Sequence, residues 1–338
     1  MNAPIIETTA LTKTFPGRRG TVEAVRSLDL RVEPGELVAL LGPNGAGKST
    51  TLRMLTTLLP PTSGAARVAG FDVVREQGDV RRHIGYVGQG NGAGSIQRGR
   101  DELLNAGRSY GMSAADTRER AAHLVDALDL GGVVDRTVQT MSGGQRRRLD
   151  IALGMIHAPA LLFLDEPSTG LDPQNRAHLQ EQVLDLHRAG TTVVLTTHYL
   201  DEADAMAQRV VVVDHGRVIA DDTPQHLKDG LGVRVTVALT GTDEVARTLA
   251  LVGDADPEAH AVEVDGRPGV ALRHRDGTAY AADLVRRLGD AGVGVAGIEV
   301  VRPTLDDVFL SLTGRSLREA DGQPADQPTE QPADQPAA

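Results

Sequence analysis

Apolar residues alternate with polar ones over 5–14 and again over 22–32, with a Pro34-Gly35 turn after the second stretch. That pattern predicts antiparallel strands, each with one buried face. An unbroken apolar run, 37–41, leads into a glycine-rich stretch and then a helix-like segment, 51–59. Further strand-like runs at 83–86, 161–164, 193–197 and 210–213 are separated by helical periodicity. Strands apolar on both faces, alternating with helices, predict a largely parallel, buried sheet with crossover helices, an α/β fold. The segment 101–130 is rich in helix formers, with Leu103, Leu104, Leu124, Val125 and Leu128 at helical spacing. It reads as the centre of a helical insertion spanning about 90–155.

A domain boundary is expected at 228–232, so that 1–230 forms the first domain. Beyond it the pattern runs strand 233–239, helix 244–252, strands 261–264 and 270–273, helix 279–291, strand 293–301 and a terminal helix 305–312. This is the split βαββαβ order with one extra helix, which predicts a small ferredoxin-like α+β domain over 231–314. In the terminal helix Thr304 is placed as N-cap with Asp307 at the third helical position, and Leu305, Val308, Phe309 and Leu312 share one face. That face suits packing on its own domain or on a partner. The sequence Gln-Pro-Ala-Asp-Gln-Pro occurs at 323–328 and again at 331–336. With no apolar core and regular prolines over the last eighteen or so residues, 315–338 is expected to be a disordered acidic Pro/Gln-rich tail.

A length of 338 residues suffices for two domains with cores of their own. The chain has no cysteine, which excludes disulfides and zinc–thiolate sites and suits a reducing cytoplasm. The longest apolar stretch, 149–164, is interrupted by Asp150, His157 and Pro159, short of the roughly eighteen apolar residues a membrane span needs. The N-terminus shows no signal-peptide core, so the chain is expected neither to span nor to cross a membrane unaided. A net charge of −11 and a pI near 5.4 argue against a protein that coats nucleic acid.

The strongest chemical signal is Gly42-Pro43-Asn44-Gly45-Ala46-Gly47-Lys48-Ser49-Thr50, set between a strand and a helix. Glycines there let backbone N–H groups curl around a β-phosphate, and the helix N-terminus adds positive potential. Lys48 bridges β- and γ-phosphates, and the Ser49 hydroxyl ligates Mg²⁺. Of 35 cationic residues only Lys13, Lys48 and Lys228 are lysines, so a compact ammonium is retained where a planar guanidinium does not substitute. A nucleoside triphosphate is the implied ligand. Leu161-Leu162-Phe163-Leu164-Asp165-Glu166-Pro167 ends a second strand in two carboxylates. Asp165 stands where a metal-holding aspartate belongs, and Glu166 is placed to activate a water. Ser142-Gly143-Gly144-Gln145, after Met141, offers a hydroxyl and two permissive backbone sites before a helical run, which taken alone suits either a second anion-binding helix start or an ordinary turn or cap. His198 follows the strand 193–197, at the strand end where ligands gather in open α/β folds.

Taken together and in order, 42–50, Gln89, 141–145, 161–166, 168–172 and His198 resemble the ATP-binding cassette of ABC transporters, over about 5–228. The resemblance implies a P-loop NTPase with a parallel sheet core, an antiparallel β subdomain and a helical subdomain. It implies ATP and Mg²⁺ as ligands, with Gly42, Asn44, Gly45, Gly47, Lys48, Ser49 and Thr50 around the phosphates. Two cassettes would pair head to tail, so that ATP on one loop is closed by Ser142, Gly143, Gly144 and Gln145 of the other. Asp165, Ser49 and Gln89 would serve the metal, Glu166 would be the catalytic base, and His198 would contact the γ-phosphate. Gln89 would also communicate with a membrane subunit, Asp172 would organise the dimer interface, and Phe15 occupies the place of an adenine-stacking aromatic. Stacking of that kind tolerates any base, which leaves GTP open on physical grounds. Two departures stand out: Met141 replaces the usual leucine, a volume-conserving swap, and 88–95 after the strand is unusually glycine-rich.

The segment 300–310, followed by Leu312-Thr313-Gly314, is similar to the end of daunorubicin-resistance-type ATPase subunits, which power drug exporters. The expected protein is therefore the ATPase subunit of an export complex for a drug, antibiotic or similar small hydrophobic compound. It would act as a homodimer beneath separately encoded integral membrane permease subunits, at the cytoplasmic face of the cell membrane, with no nucleic-acid partner. A soluble ABC ATPase acting on ribosomes or DNA is the competing class, but such proteins carry fused cassettes, long coiled coils or cysteine zinc modules, none of which is present here. A regulatory scaffold would suit loss of Glu166 or His198, and both are retained. An importer, or a lipid or polysaccharide exporter, shares the cassette and stays open at this stage.

Overall fold

The computed structural model describes residues 3–17, 20–90, 92–94, 96–253 and 256–317. Of the expected tail, 315–338, the residues after Leu317 lie outside them, as do Asn91 and Ser95 of the glycine-rich stretch. Leu317 itself is buried, its N–H donating to Asp306 Oδ1 at 3.0 Å, so ordered structure extends three residues past the expected boundary. The described residues divide into two compact units, one ending at Asp221 and one from Asp222 to Leu317.

The first unit opens with β1 (Ile6–Gly17) and β2 (Gly20–Val32), an antiparallel pair as the alternation predicts. Next come β3 (Leu37–Leu41), α1 (Lys48–Leu55), β4 (Ser63–Val68), β5 (Phe71–Asp72), α2 (Gln77–His83) and β6 (Ile84–Val87). Helices α3 (Gly99–Ser109), α4 (Ala114–Ala127) and α5 (Gly143–Met155) fill the predicted helical insertion. The unit closes with β7 (Leu161–Asp165), α6 (Pro173–Arg188), β8 (Thr192–Thr197), α7 (Leu200–Met206), β9 (Arg209–Asp214) and β10 (Arg217–Asp222).

Two sheets result, ordered β2-β1-β4-β5 and β10-β9-β3-β8-β7-β6. Strands β9, β3, β8, β7 and β6 are mutually parallel where they pair. Every residue of β3, β7 and β8 is buried, which is why these strands read as continuous apolar runs rather than alternations. Val38, Leu40, Phe163 and Val194 of the parallel sheet share one core with Ile6, Leu11 and Leu28 of the antiparallel sheet and with Leu52 and Leu55 of α1. Each such leucine contributes roughly 1.5–3 kcal/mol through burial. Helix α1 is therefore clamped between both sheets.

That helix differs from its expected span. It begins at Lys48, not 51, because Gly47 at its N-cap adopts φ 104°, a left-handed conformation that turns the chain directly into the first helical residue. It ends by Thr56, and Thr57 at φ 65° followed by Pro60 and Pro61 prevents its continuation to 59.

The second unit contains α8 (Pro224–Asp229), β11 (Val233–Leu239), α9 (Glu244–Val252), β12 (His260–Val264), β13 (Arg267–His274), α10 (Gly277–Asp290), β14 (Val295–Val301) and α11 (Leu305–Thr313). Its sheet is antiparallel with order β12-β13-β11-β14, the ferredoxin-like arrangement. Val235, Val237, Leu239, Val270 and Leu272 form its core with Val252 of α9 and Leu284 and Leu288 of α10. Helix α11 carries the capping box between Thr304 and Asp307. Its buried face is shorter than the pattern suggested: Leu305, Val308 and Phe309 are buried, whereas Leu312 in the last turn is 47% exposed.

Candidate functional site

Parallel register assembles the site. Leu41 at the end of β3 lies abreast of Thr197 on β8, and Asp165 at the end of β7 lies abreast of Thr196. The glycine-rich loop, Glu166 and His198 therefore leave three adjacent strands at one sheet edge, the carboxyl edge where open α/β folds bind ligands.

The loop is shaped by what its glycines lack. A Cβ on Gly42 would sit 2.1 Å from the Val213 carbonyl oxygen, and one on Gly47 would sit 2.3 Å from that of Ala24. Gly45 takes φ 79°. Asn44 and Gly45 form the exposed tip, and Thr50 is half-buried beside Ser49 on α1. Lys48 is 4% exposed, and its Nζ donates to the Gly42 oxygen at 2.6 Å and the Pro43 oxygen at 3.0 Å. The ammonium thus lies inside the curl of the loop, 3.7 Å from Glu166 Oε1.

Asp165 Oδ1 accepts from Ser49 Oγ at 2.8 Å and from Thr196 Oγ1 at 2.7 Å, and Gln89 Nε2 donates to Ser49 Oγ at 3.1 Å. Asp165 Oδ2 is buried and has no hydrogen-bond partner among the described residues. A carboxylate oxygen left bare beside a hydroxyl and an amide is a hard-donor set, which fits a small divalent cation. Among the described residues there is no group of three His, Asp or Glu side chains able to hold a metal by themselves. One carboxylate with a hydroxyl suits Mg²⁺ held jointly with substrate phosphates rather than in a protein cage.

Glu166 adopts φ 47°, unusual for a residue with a side chain. Its N–H is held by Thr196, at 2.9 Å to Oγ1 and 3.2 Å to the carbonyl oxygen. Its Oε2 lies 3.5 Å from His198 Nδ1 and accepts from Thr169 Oγ1 at 3.3 Å. Burial pushes the Glu166 carboxyl up. The His198 imidazole beside it, the charge of Lys48 and the Thr169 hydroxyl outweigh that push and leave it below its ordinary value. The group is therefore a carboxylate at neutral pH, poised to accept a proton.

A second group gathers around Asn175. Ser142 caps α5, its Oγ accepting from the Gln145 N–H at 3.3 Å while Gln145 Oε1 accepts from the Ser142 N–H at 2.9 Å. Ser142 and Gly143 are exposed, and a Cβ on Gly144 would meet Asn175 Oδ1 at 2.6 Å. Asp172 caps α6, accepting from the Asn175 N–H at 2.9 Å and from its Nδ2 at 2.6 Å. Phe15 lies on β1, half-buried, with Lys13 Nζ 5.1 Å from its ring centre.

Sequence reasoning passed over Thr196, Thr169, Asn175 and Arg147. Thr196 had a signal, since Thr196 and Thr197 end an apolar run just before His198. Arg147, only 8% exposed, lies in a run of three arginines, but its spacing from Gly144 and Ile151 puts it on the buried stripe of α5.

Glu202 on α7 yields a pH prediction. Burial pushes its carboxyl up, and the Thr197 and Ser168 hydroxyls with the charges of Arg176 and His198 offset this only in part. The folded chain then holds this proton more tightly than the unfolded chain, so stability falls as pH rises from the unfolded to the folded value. Glu202→Gln, neutral throughout, should melt close to wild type at about pH 4 and gain on it by about pH 7.5. Melting curves at both pH values check this; a constant difference, or one that moves against glutamine, excludes it.

The family model described as ABC transporter matches residues 25–169. The daunorubicin resistance ATP-binding protein DrrA2 of Streptomyces coeruleorubidus is 44% identical over 312 residues, covering 91% of this chain and 96% of that protein. The daunorubicin/doxorubicin resistance ATP-binding protein DrrA of Streptomyces peucetius is 44% identical over 330 residues, 93% and 96% of the two chains. Among solved structures, the dimeric ATP-binding cassette MJ0796 bound to ADP and Pi matches with a TM-score of 0.59 and 25% identity, over 64% of this chain and 98% of that one. With the phosphate loop, the paired carboxylates and His198 at one sheet edge, and relatives alike along nearly the whole chain, this protein belongs to the ATP-binding proteins of the ABC transporter family.

Proposed function

We propose that this chain is the ATPase subunit of an export complex, working as a head-to-tail homodimer beneath separately encoded membrane permease subunits at the cytoplasmic face of the cell membrane. The observation that carries the reading is the convergence of Lys48, Ser49, Gln89, Asp165, Glu166 and His198 at one sheet edge. No helix among the described residues is long and apolar enough to cross a membrane. A dimeric relative with bound ADP and Pi supports pairing. The curated relatives are named for resistance to daunorubicin and doxorubicin, which supports a drug-like hydrophobic substrate.

In this reading Gly42, Asn44, Gly45, Gly47 and Thr50 line the phosphates, and Lys48 supplies charge to the β- and γ-phosphates. Phe15 stacks on the base. Ser49, Asp165 and Gln89 would hold Mg²⁺, which when bound neutralises charge on the phosphate oxygens. Glu166 removes a proton from the attacking water, and His198 holds the carboxylate side while facing the γ-phosphate. Ser142, Gly143, Gly144 and Gln145 are exposed or half-exposed at the start of α5 except for Gly144, and close the nucleotide of the opposite subunit. Asp172, through Asn175, orders the neighbouring surface. ATP binding closes the dimer and hydrolysis reopens it.

The test is affinity purification of tagged protein in mild detergent from its native cells. A polytopic membrane protein recovered in near-equal amount is the expected result, with drug-stimulated ATPase activity in the recovered complex. Ribosomal or DNA-repair proteins recovered alone would overturn the export reading in favour of a soluble ABC ATPase.

A further inference from the structure

Two buried charged residues on α5 have no part in the chemistry above. Arg147 places its three nitrogens on main-chain carbonyls of two different loops. Its Nη1 donates to Gly88 at 2.6 Å, its Nη2 to Asp165 at 3.0 Å and its Nε to Pro167 at 2.8 Å. Gly88 immediately precedes Gln89, while Asp165 and Pro167 flank Glu166. One turn along the helix, Asp150 Oδ1 accepts the N–H groups of Gly92 and Ala93, each at 3.0 Å. The loop bearing Gln89 is gripped on both sides from one helix, and the Glu166 peptide on both sides by one guanidinium.

Packing alone does not call for this arrangement. A buried charge is costly, and a well-packed apolar residue in its place is often neutral or stabilising. Only a planar fork with donors on several edges reaches three carbonyls at once; an ammonium is a point charge and cannot. The two ends of the grip also answer to local need. Glu166 holds a left-handed backbone, which persists only when its surroundings over-determine it. Gly90, Gly92 and Gly94 bring no side chain of their own, and a Cβ on Gly92 would lie only 3.2 Å from Asp150 Oδ1. Glycine there leaves room for the carboxylate to take both amides.

Helix α5 is the 13-residue element that starts at the Ser142 cap. Its exposed end and its buried grip are thus parts of one rigid body. We propose that Arg147 and Asp150 are positioning residues that relay engagement of Ser142 by a partner subunit's nucleotide to Gln89 and Glu166 of their own chain. The relay rests on the head-to-tail reading given above.

The experiment uses the full transporter complex and compares wild type, Arg147→Lys, Ser142→Ala and the double variant for Mg-ATP Kd, kcat and melting temperature. Arg147→Lys should keep Kd within about threefold while kcat falls about tenfold or more, the scale of a small misplacement of catalytic groups. In the double variant kcat should fall little further than in the worse single variant, because residues acting through one pathway are not additive. A kcat within about twofold of wild type, a Kd that weakens in step with kcat, or effects that multiply would each overturn the relay. Should Arg147→Lys not fold, Asp150→Leu is read by hydrogen exchange. The Gly92 and Ala93 amides must then exchange faster while α5 stays protected, and unchanged exchange refutes the grip. A wild-type complex that binds ATP without hydrolysing it sinks the proposed function instead, and does so before any variant is compared.

Discussion

Glu166→Gln is expected to bind ATP and to hydrolyse it at least about a hundredfold more slowly, the scale on which a general base acts. The substitution keeps the shape of the side chain and leaves the Thr196 contacts to the main-chain N–H in place. What it removes is the proton acceptor. In the protein as folded that acceptor is ionised, because His198 and Lys48 outweigh the upward push of burial. Binding should not suffer. The carboxylate lies 3.7 Å from the Lys48 ammonium, so its removal frees positive charge for a polyanionic ligand. A closed, ATP-loaded dimer should therefore accumulate, visible by size exclusion with labelled nucleotide, while single-turnover release of phosphate nearly stops. Turnover close to normal would exclude Glu166 as the base.

Much of this site was legible because its parts are local in sequence. A glycine-rich loop between a strand and a helix, and two carboxylates at the end of an apolar strand, state their chemistry within a few residues. The ferredoxin-like order was legible from the succession of strand-like and helix-like segments, although β14 is exposed along most of its length and shows no alternation, and α8 was not anticipated. What stayed hidden depends on distant partners. Parallel register brings Thr196 beside Asp165 across two strands, and no local pattern encodes that pairing. Spacing places Arg147, unlike Arg146 and Arg148, on the buried stripe of α5, but its partners emerge only when α5 is set against the loops of Gln89 and Glu166. Strand β4 escaped because only Ala66 and Val68 of its six residues are buried, too few to establish a period. Leu312 fits the apolar face of α11 by spacing, but spacing does not say how far along a helix the cover extends.

Lys48→Ala should weaken ATP binding by at least about a hundredfold. Two charge-assisted hydrogen bonds to phosphate, at roughly 1.5–3 kcal/mol each, exceed the roughly 2.8 kcal/mol that such a factor requires. The geometry adds a second cost of the same sign. The ammonium is the donor to the Gly42 and Pro43 carbonyl oxygens, so its loss strands both acceptors inside the loop and lets the curl open. It also leaves the mostly buried Glu166 carboxylate without the cation at 3.7 Å, placing an uncompensated negative charge where phosphate must bind. Lys48→Arg should not restore affinity, because the carbonyls hold the ammonium at 2.6 and 3.0 Å and a guanidinium is too broad for that curl. Equilibrium titration with a fluorescent nucleotide, beside a melting curve to show that the chain is folded, decides the matter. Affinity unchanged in a folded variant would remove Lys48 from the phosphate site. Affinity lost here and kept in Glu166→Gln would separate the residue that binds the nucleotide from the residue that spends it.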